Sequence, residues 1–433
     1  MKKIFIVSLS LFGILLSSFL LPNGKILASA TSNNEKFIIQ AYGDSISYGE
    51  GLQDLNDAYP NVFAKHYVDN LNAEFYANGI SGSTTMSLLE RLEPYQNGTA
   101  SDMDKFNETD LVILCIGANN VLIPAIESIP NYMAGSMTAE DLRSILAARV
   151  EQFKIDYPQI LETFANKKVL VMTVYNPYKH TTLKDMQIDD SVGNDKALVQ
   201  WFINAYNNKF KEMLDISMEY LQIINNEIIK SANKDVQVID VWTQFSTFSK
   251  TEYLTYINAD ISKVSITSTD VTSLKQGNIA PIMTKIYNNC DPHPTKEGHT
   301  VIAQKHLNEF KIFQIEKTKS SNNKSLLSVK SILNENYTFK YFKKVGNNKI
   351  LLAESNENSY EIDNNKIDDA EQIFAEVYLN NTLVSTTNVL KFNQNNNKTD
   401  INWTAYVIGG TLVTIGAICT TVFIIIKQKR RKK

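Results

Sequence analysis

Between residues 36 and 315, short apolar runs alternate with longer stretches whose apolar residues recur every three or four positions. The runs "KFIIQAYG" (36–43), "DLVILCIG" (110–117), "KKVLVMTVY" (167–175) and "DVQVIDVW" (235–242) are rich in β-branched residues. Such runs suit strands buried on both faces of a parallel sheet. Between them lie "YPNVFAKHYVDNL" (59–71), "TAEDLRSILAARVEQFKIDYPQILETFA" (138–165) and a long stretch over 198–232. Their spacing predicts helices packed on that sheet. The alternation predicts a layered α/β domain over residues 31–315, with right-handed crossovers.

Beyond this the period changes. A polar stretch over 316–325 reads as a linker. Residues 326–393 then hold short alternating segments, "YTFKYFKKV", "NKILLAES", "NSYEI" and "QIFAEVYLNNTLVSTTNVLKF", separated by turn-forming asparagines and glycine. They predict a small β-sandwich of immunoglobulin-like type, although no cysteine pair supports it. Its plainest role is that of a stalk or binding module. Residues 394–400 form a polar spacer.

The ends carry signals of their own. Lys2 and Lys3, the apolar run over 4–21 and "ASA" at 28–30 predict a signal peptide over residues 1–30, a retained anchor being the alternative. Residues 401–426 hold no charge and are long enough to cross roughly 30 Å of hydrocarbon as a helix. Trp403 and Tyr406 suit its outer interface, and the six cations of residues 427–433 predict a cytoplasmic tail. The expected location is therefore the cell membrane, with a single pass and the N-terminal domains outside.

The net charge of −3 hides an asymmetry. The leader and tail are basic, which leaves −12 on residues 31–426. An acidic exterior argues against nucleic acid as a partner. Three cysteines, Cys115, Cys290 and Cys419, make no disulfide framework. An external chain with so few suggests a bacterial ectodomain stabilised by the size of its core.

Candidate chemistry begins at "AYGDSISYGEG" (41–51), where Ser45 follows the first predicted strand. Open α/β sheets bind ligands at the carboxyl ends of their strands. A serine there needs a base to take its proton and fixed donors for a developing oxyanion. Of five histidines, His293 is held between Pro292 and Pro294 before a helix starting at "TKEG". His299 and His306 fall inside that helix and read as packed or solvated. His66 sits in an early helix and His180 in a polar loop. "NGISGSTT" (78–85) and "CIGANN" (115–120) look like donor loops. No histidine spacing or cysteine grouping suits a metal, so none is expected.

This set resembles the SGNH hydrolases, or GDSL esterase/lipase family, over roughly residues 36–312, which implies that family's three-layer, flavodoxin-like parallel sheet. "GDSIS" matches its nucleophile block and implies Ser45 as nucleophile and oxyanion donor. "GISGSTT" and "GANN" match its second and third blocks and imply oxyanion donors at Gly82 and Asn119. "DPHPTKEGH" matches the histidine block and implies His293 as base. Two departures stand out. The usual aspartate of the third block is Asn120, and the usual acid position three residues before the histidine is Cys290. Asp291 completes a triad if Pro292 kinks the loop; otherwise a backbone carbonyl near Cys290 orients the imidazole in a Ser-His dyad.

The resemblance implies cofactor-free hydrolysis of lipid, lysophospholipid or short acyl esters through an acyl-serine intermediate. Carbohydrate or peptidoglycan O-acetyl groups are the alternative substrates. A surface adhesion protein with an inactive hydrolase domain is the alternative class. Residues 246–289 form a long insertion before His293 that either shapes the acyl pocket or packs at the periphery.

Overall fold

The apolar runs become the middle of a parallel sheet in the computed structural model, which describes residues 36–321, 323–331, 336–346, 348–367 and 371–391. The expected leader, membrane span and basic tail lie outside the described residues, as does the spacer. Among the described residues no helix is long and apolar enough to cross a membrane.

Five strands form the sheet: β1 (Phe37–Gly43), β2 (Ala73–Gly79), β3 (Leu111–Cys115), β4 (Lys168–Met172) and β5 (Val236–Ile239). Their order is β2-β1-β3-β4-β5, all parallel, which is the flavodoxin-like order of doubly wound sheets. Every residue of β1 and β3 is buried, as expected for strands covered on both faces. Strand β2 lies outside the runs read from sequence. It occupies the sheet edge and is only half buried, so "AEFYANG" needs no continuous apolar run.

Helices cover both faces. On one side lie α3 (Thr85–Gln96), α4 (Ala118–Glu127), α5 (Ala139–Thr163) and the 35-residue α6 (Lys196–Lys230), packed against one another. On the other, α2 (Tyr59–Asn70) packs against α7 (Lys296–Glu309). Helix α6 buries one stripe that includes Val199, Phe202, Phe210, Met213, Leu221 and Ile228. Each such side chain contributes about 1.5–3 kcal/mol. Capping boxes set the starts of α3 (Thr84 with Ser87) and α5 (Thr138 with Asp141).

The C-terminal region is built from two antiparallel sheets. One pairs β6 (Phe313–Ser321), β7 (Lys324–Ser331) and β10 (Ser359–Asp363). The other runs β9 (Asn348–Ser355), β8 (Thr338–Val345), β11 (Gln372–Leu379) and β12 (Thr382–Thr386). Rings from the two sheets meet where Tyr341 packs on Tyr360, 5.5 Å between centroids.

The expected linker over 316–325 is corrected here. It lies in the β6–β7 hairpin, paired from Phe313↔Ser331 to Ser321↔Lys324 with a register shift between Lys319 and Ser321. The boundaries expected at 315 and 326 therefore fall inside strands. Backbone pairing holds this hairpin, with Phe313, Ile315, Leu327 and Val329 supplying its buried face. The polar residues after Ile315 conceal the strand from a hydropathy reading.

Candidate active site

Ser45 sits at the point where the strand order reverses, between the carboxyl ends of β1 and β3. The chain can turn there only because residue 43 is glycine. Its φ is +151°, and a Cβ would lie 2.1 Å from the Cys115 carbonyl oxygen. Asp44 then donates its N–H to that same oxygen at 3.1 Å. Its carboxylate caps the four-residue α1 (Ser45–Tyr48) by accepting from the Ile46 N–H at 3.0 Å. Ser45 is thus the first residue of a helix, with an N–H that the helix leaves unused.

His293 is presented from the loop that precedes α7. Its Nε2 lies 2.8 Å from Ser45 Oγ, and its Nδ1 lies 2.6 Å from Asp291 Oδ1. Asp291 Oδ1 also accepts the His293 N–H at 3.1 Å, closing an Asx turn around Pro292. The carboxylate therefore reaches the imidazole from two residues away. The Cys290 carbonyl, the alternative partner, instead accepts from the Tyr178 hydroxyl at 3.0 Å. Partial burial pushes the Asp291 carboxyl upward, but the hydrogen bonds and charge of His293 outweigh it and leave it below the ordinary value.

The insertion over 246–289 folds mainly as three helices, Lys250–Tyr256, Ser268–Lys275 and Ala280–Asn288. Its first helix leads into a strap beside the histidine. Asn258 N–H donates to the His293 carbonyl at 3.0 Å, and Thr295 N–H to the Tyr256 carbonyl at 2.9 Å. Gly298 is pressed so closely on the Tyr256 carbonyl that a Cβ would sit 2.1 Å from its oxygen.

Gly82 is exposed, with φ +76°, in the loop between β2 and α3. Asn119 lies in the first turn of α4, and its side-chain amide donates to the Ser83 carbonyl at 3.0 Å. The two expected donors are thus tied to one loop. Asn120, where the resembled family has aspartate, is buried: its Oδ1 accepts from Thr85 N–H and its Nδ2 donates to Thr85 Oγ1. Thr85 in turn donates to the buried Asp156 at 3.0 Å. An amide that both donates and accepts satisfies this arrangement where a carboxylate would face Asp156 across one hydroxyl.

Several residues of the site escaped the sequence reading. The Arg91 guanidinium donates to the carbonyls of Asn78 and Gly43 and to Ser83 Oγ, joining the ends of β2 and β1 to the Gly82 loop. The Tyr175 hydroxyl donates to the Pro292 carbonyl at 2.7 Å. Neither an isolated arginine in a helix nor tyrosines after a strand carry a motif.

The remaining histidines lie elsewhere. His299 and His306 are fully buried around Tyr59, and burial lowers each to about 4. His180 faces the Phe248 carbonyl, and His66 packs beside Tyr67. Burial pushes the Cys290 thiol up to about 12, so it is not a thiolate near neutrality. Burial likewise pushes Asp44 up to about 7, against the lowering effects of the Ile46 N–H and His293.

A model of the GDSL-like lipase/acylhydrolase family matches residues 41–301. Similar solved structures include a member of the lipolytic protein G-D-S-L family from Veillonella parvula. It is 14% identical over 63% of this chain and 98% of that one, with a TM-score of 0.29. An acetyl xylan esterase variant from Geobacillus stearothermophilus is 14% identical over 64% and 96%, with a TM-score of 0.30. An SGNH-hydrolase family esterase is 18% identical over 58% and 98%, with a TM-score of 0.25. No curated protein sequence matches the chain.

Proposed function

Because the chain belongs to the GDSL-like lipase/acylhydrolase family, we propose that it is a serine esterase with Ser45 as nucleophile, His293 as base and Asp291 as acid. The observation that carries this reading is the unbroken line from Ser45 Oγ to His293 Nε2, and from His293 Nδ1 to Asp291 Oδ1, at 2.8 and 2.6 Å. His293 takes the Ser45 proton as Oγ bonds to the ester carbonyl carbon. The oxyanion so formed is held by the Ser45 and Gly82 N–H groups and the Asn119 amide. Collapse expels the alcohol, which leaves with the proton from His293. Water then attacks the acyl-serine, His293 accepts its proton, and the acid departs as Ser45 is reprotonated. Asp291 holds the imidazole in the tautomer that accepts at Nε2 and stabilises the imidazolium.

A fluorophosphonate probe tests the assignment. Wild type is expected to form an adduct, and Ser45→Ala none. Equal labelling of the two would remove Ser45 from the role, and a binding-only surface protein would give neither adduct nor turnover.

The proposed substrates are lipid, lysophospholipid or short acyl esters. Comparing p-nitrophenyl acetate with longer acyl esters separates the short-acyl from the long-acyl classes. We further propose that residues 401–426 anchor the chain in the cell membrane with the esterase outside, after removal of residues 1–30. The two antiparallel sheets beyond residue 312 support reading that region as a small immunoglobulin-like sandwich, acting as a stalk or binding module.

A further inference from the structure

The acid of this site stands only two residues before its histidine, with Pro292 alone between them. Oδ1 of Asp291 must therefore serve the Asx turn and the imidazole together, at 3.1 and 2.6 Å. Its side chain is also 39% exposed, so water competes for the carboxylate. A short, partly wetted arm keeps its aim only if the backbone on either side is held. Here both flanking carbonyls are held by buried phenols: Tyr178 donates to Cys290 O at 3.0 Å and Tyr175 to Pro292 O at 2.7 Å.

These two tyrosines come from one stretch directly after β4, and that stretch is itself braced. Asn225, fully buried on α6, accepts from the Val174 N–H and donates to the Val174 carbonyl, both at 2.8 Å. Thr173 Oγ1 donates to Asp240 and accepts from the Trp242 N–H. Asn176 Oδ1 accepts from the Tyr178 N–H at 2.8 Å. The Tyr175 ring stacks on Phe245, with centroids 4.8 Å apart. Burial raises both phenols far above their ordinary value, so they remain donors throughout the working pH range. The supports run from the long helix, through the end of a core strand, to the two peptide groups that bracket the acid.

We propose that Tyr175 and Tyr178 are positioning residues that clamp the Cys290–Pro292 backbone and so aim the Asp291 carboxylate at His293. The clamp lets a carboxylate two residues from the histidine occupy the place of one three residues away. The inference rests on the ester-hydrolase reading above, but it concerns residues whose hydroxyls bond the backbone of the histidine loop and not the triad side chains.

The test is a double-mutant cycle on the full chain, with p-nitrophenyl acetate as substrate. Tyr→Phe deletes one oxygen and keeps the ring, including the stack on Phe245. Tyr175→Phe and Tyr178→Phe are each expected to lower kcat about tenfold, the scale set by misaligned catalytic groups, with KM changed less than about twofold. In an Asp291→Asn background the same changes are expected to lower kcat less than about twofold further, because residues acting through one partner are not additive. If one variant fails to fold, the other carries the cycle. Equal fractional losses in both backgrounds, or no loss in the wild-type background, would overturn the clamp while leaving the triad intact. Wild-type turnover by Asp291→Asn would overturn the triad and the clamp together.

Discussion

Asp291 sits in a turn that makes a single oxygen serve both backbone and imidazole. Its carboxyl lies below the ordinary range, so it is ionised throughout the neutral pH range. Replacing it with asparagine keeps the shape but removes the charge and upsets the imidazole tautomer. Asp291→Asn is expected to lower kcat about 10²–10⁴-fold on a short acyl ester while the fluorophosphonate adduct still forms slowly. Asp44, next to Ser45, behaves in the opposite way. Asp44 is raised to about 7 by burial, so the folded chain holds a proton between about pH 4 and 7 that the unfolded chain releases. Stability from this group is therefore lost as pH rises through 7. Asp44→Asn is expected to be more stable than wild type at pH 8, on the order of 2 kcal/mol, and nearly equal at pH 4; urea unfolding at the two pH values measures it. His299 and His306 act in the other sense. Lowered to about 4, they stay neutral when folded, and stability falls as pH drops from 6.5 towards 4. His306→Phe, which keeps an aromatic ring against Tyr59 and Phe63, should flatten that slope in thermal melts.

Between residue and fold, the site depends on how element ends are tied together. Helix α7 carries its first turn directly beneath the strap that holds the histidine, and Gly298 is the point of contact. A methyl group there must push the Tyr256 carbonyl away, and with it Asn258, whose N–H holds the His293 carbonyl. Gly298→Ala is expected to lower both the melting temperature and kcat, since the strap and the histidine move as one. A lowered melting temperature with unchanged kcat would mean that the strap supports stability alone. Arg91 plays the corresponding part at the other wall, where one guanidinium joins the ends of β1 and β2 to the loop bearing Gly82. Arg91→Met removes the guanidinium from the Asn78 carbonyl and Ser83 Oγ, while the Gly43 carbonyl keeps the Ile80 N–H at 3.0 Å; a buried group left unpaired costs about 1–3 kcal/mol, which urea unfolding measures.

At the scale of the molecule, the hydrolase residues and the β-rich region form one unit within residues 37–391, with α2 touching β12. The β6 strand continues directly from the end of the α/β region, and Asn388 bonds the Ile315 backbone, so residues far apart in sequence close on the same hairpin. Residues 401–426 are the proposed membrane anchor. Deleting residues 401–433 is expected to move the protein from the membrane pellet to the soluble fraction with esterase turnover unchanged. Retention in the pellet would point to another means of attachment.

Much of this was legible in the chain itself, for a physical reason. Buried parallel strands need continuous apolar runs, so four of the five were visible. The glycine at the strand end ahead of Ser45 and the prolines on either side of His293 made both stand out as candidates. Edge strand β2 and the polar strand β6 did not, because backbone pairing rather than apolar content holds them. Which partner meets the imidazole also lay beyond the sequence, since a one-residue offset is resolved only by how the loop turns. Tyr175, Tyr178 and Arg91 left no local pattern, because each acts on a carbonyl brought to it by the fold. Composition and spacing thus determined the layers and marked Ser45 and His293 as the two ends of the proposed catalytic line. The tertiary structure alone decided that Asp291 faces His293, through hydrogen bonds between residues more than a hundred positions apart.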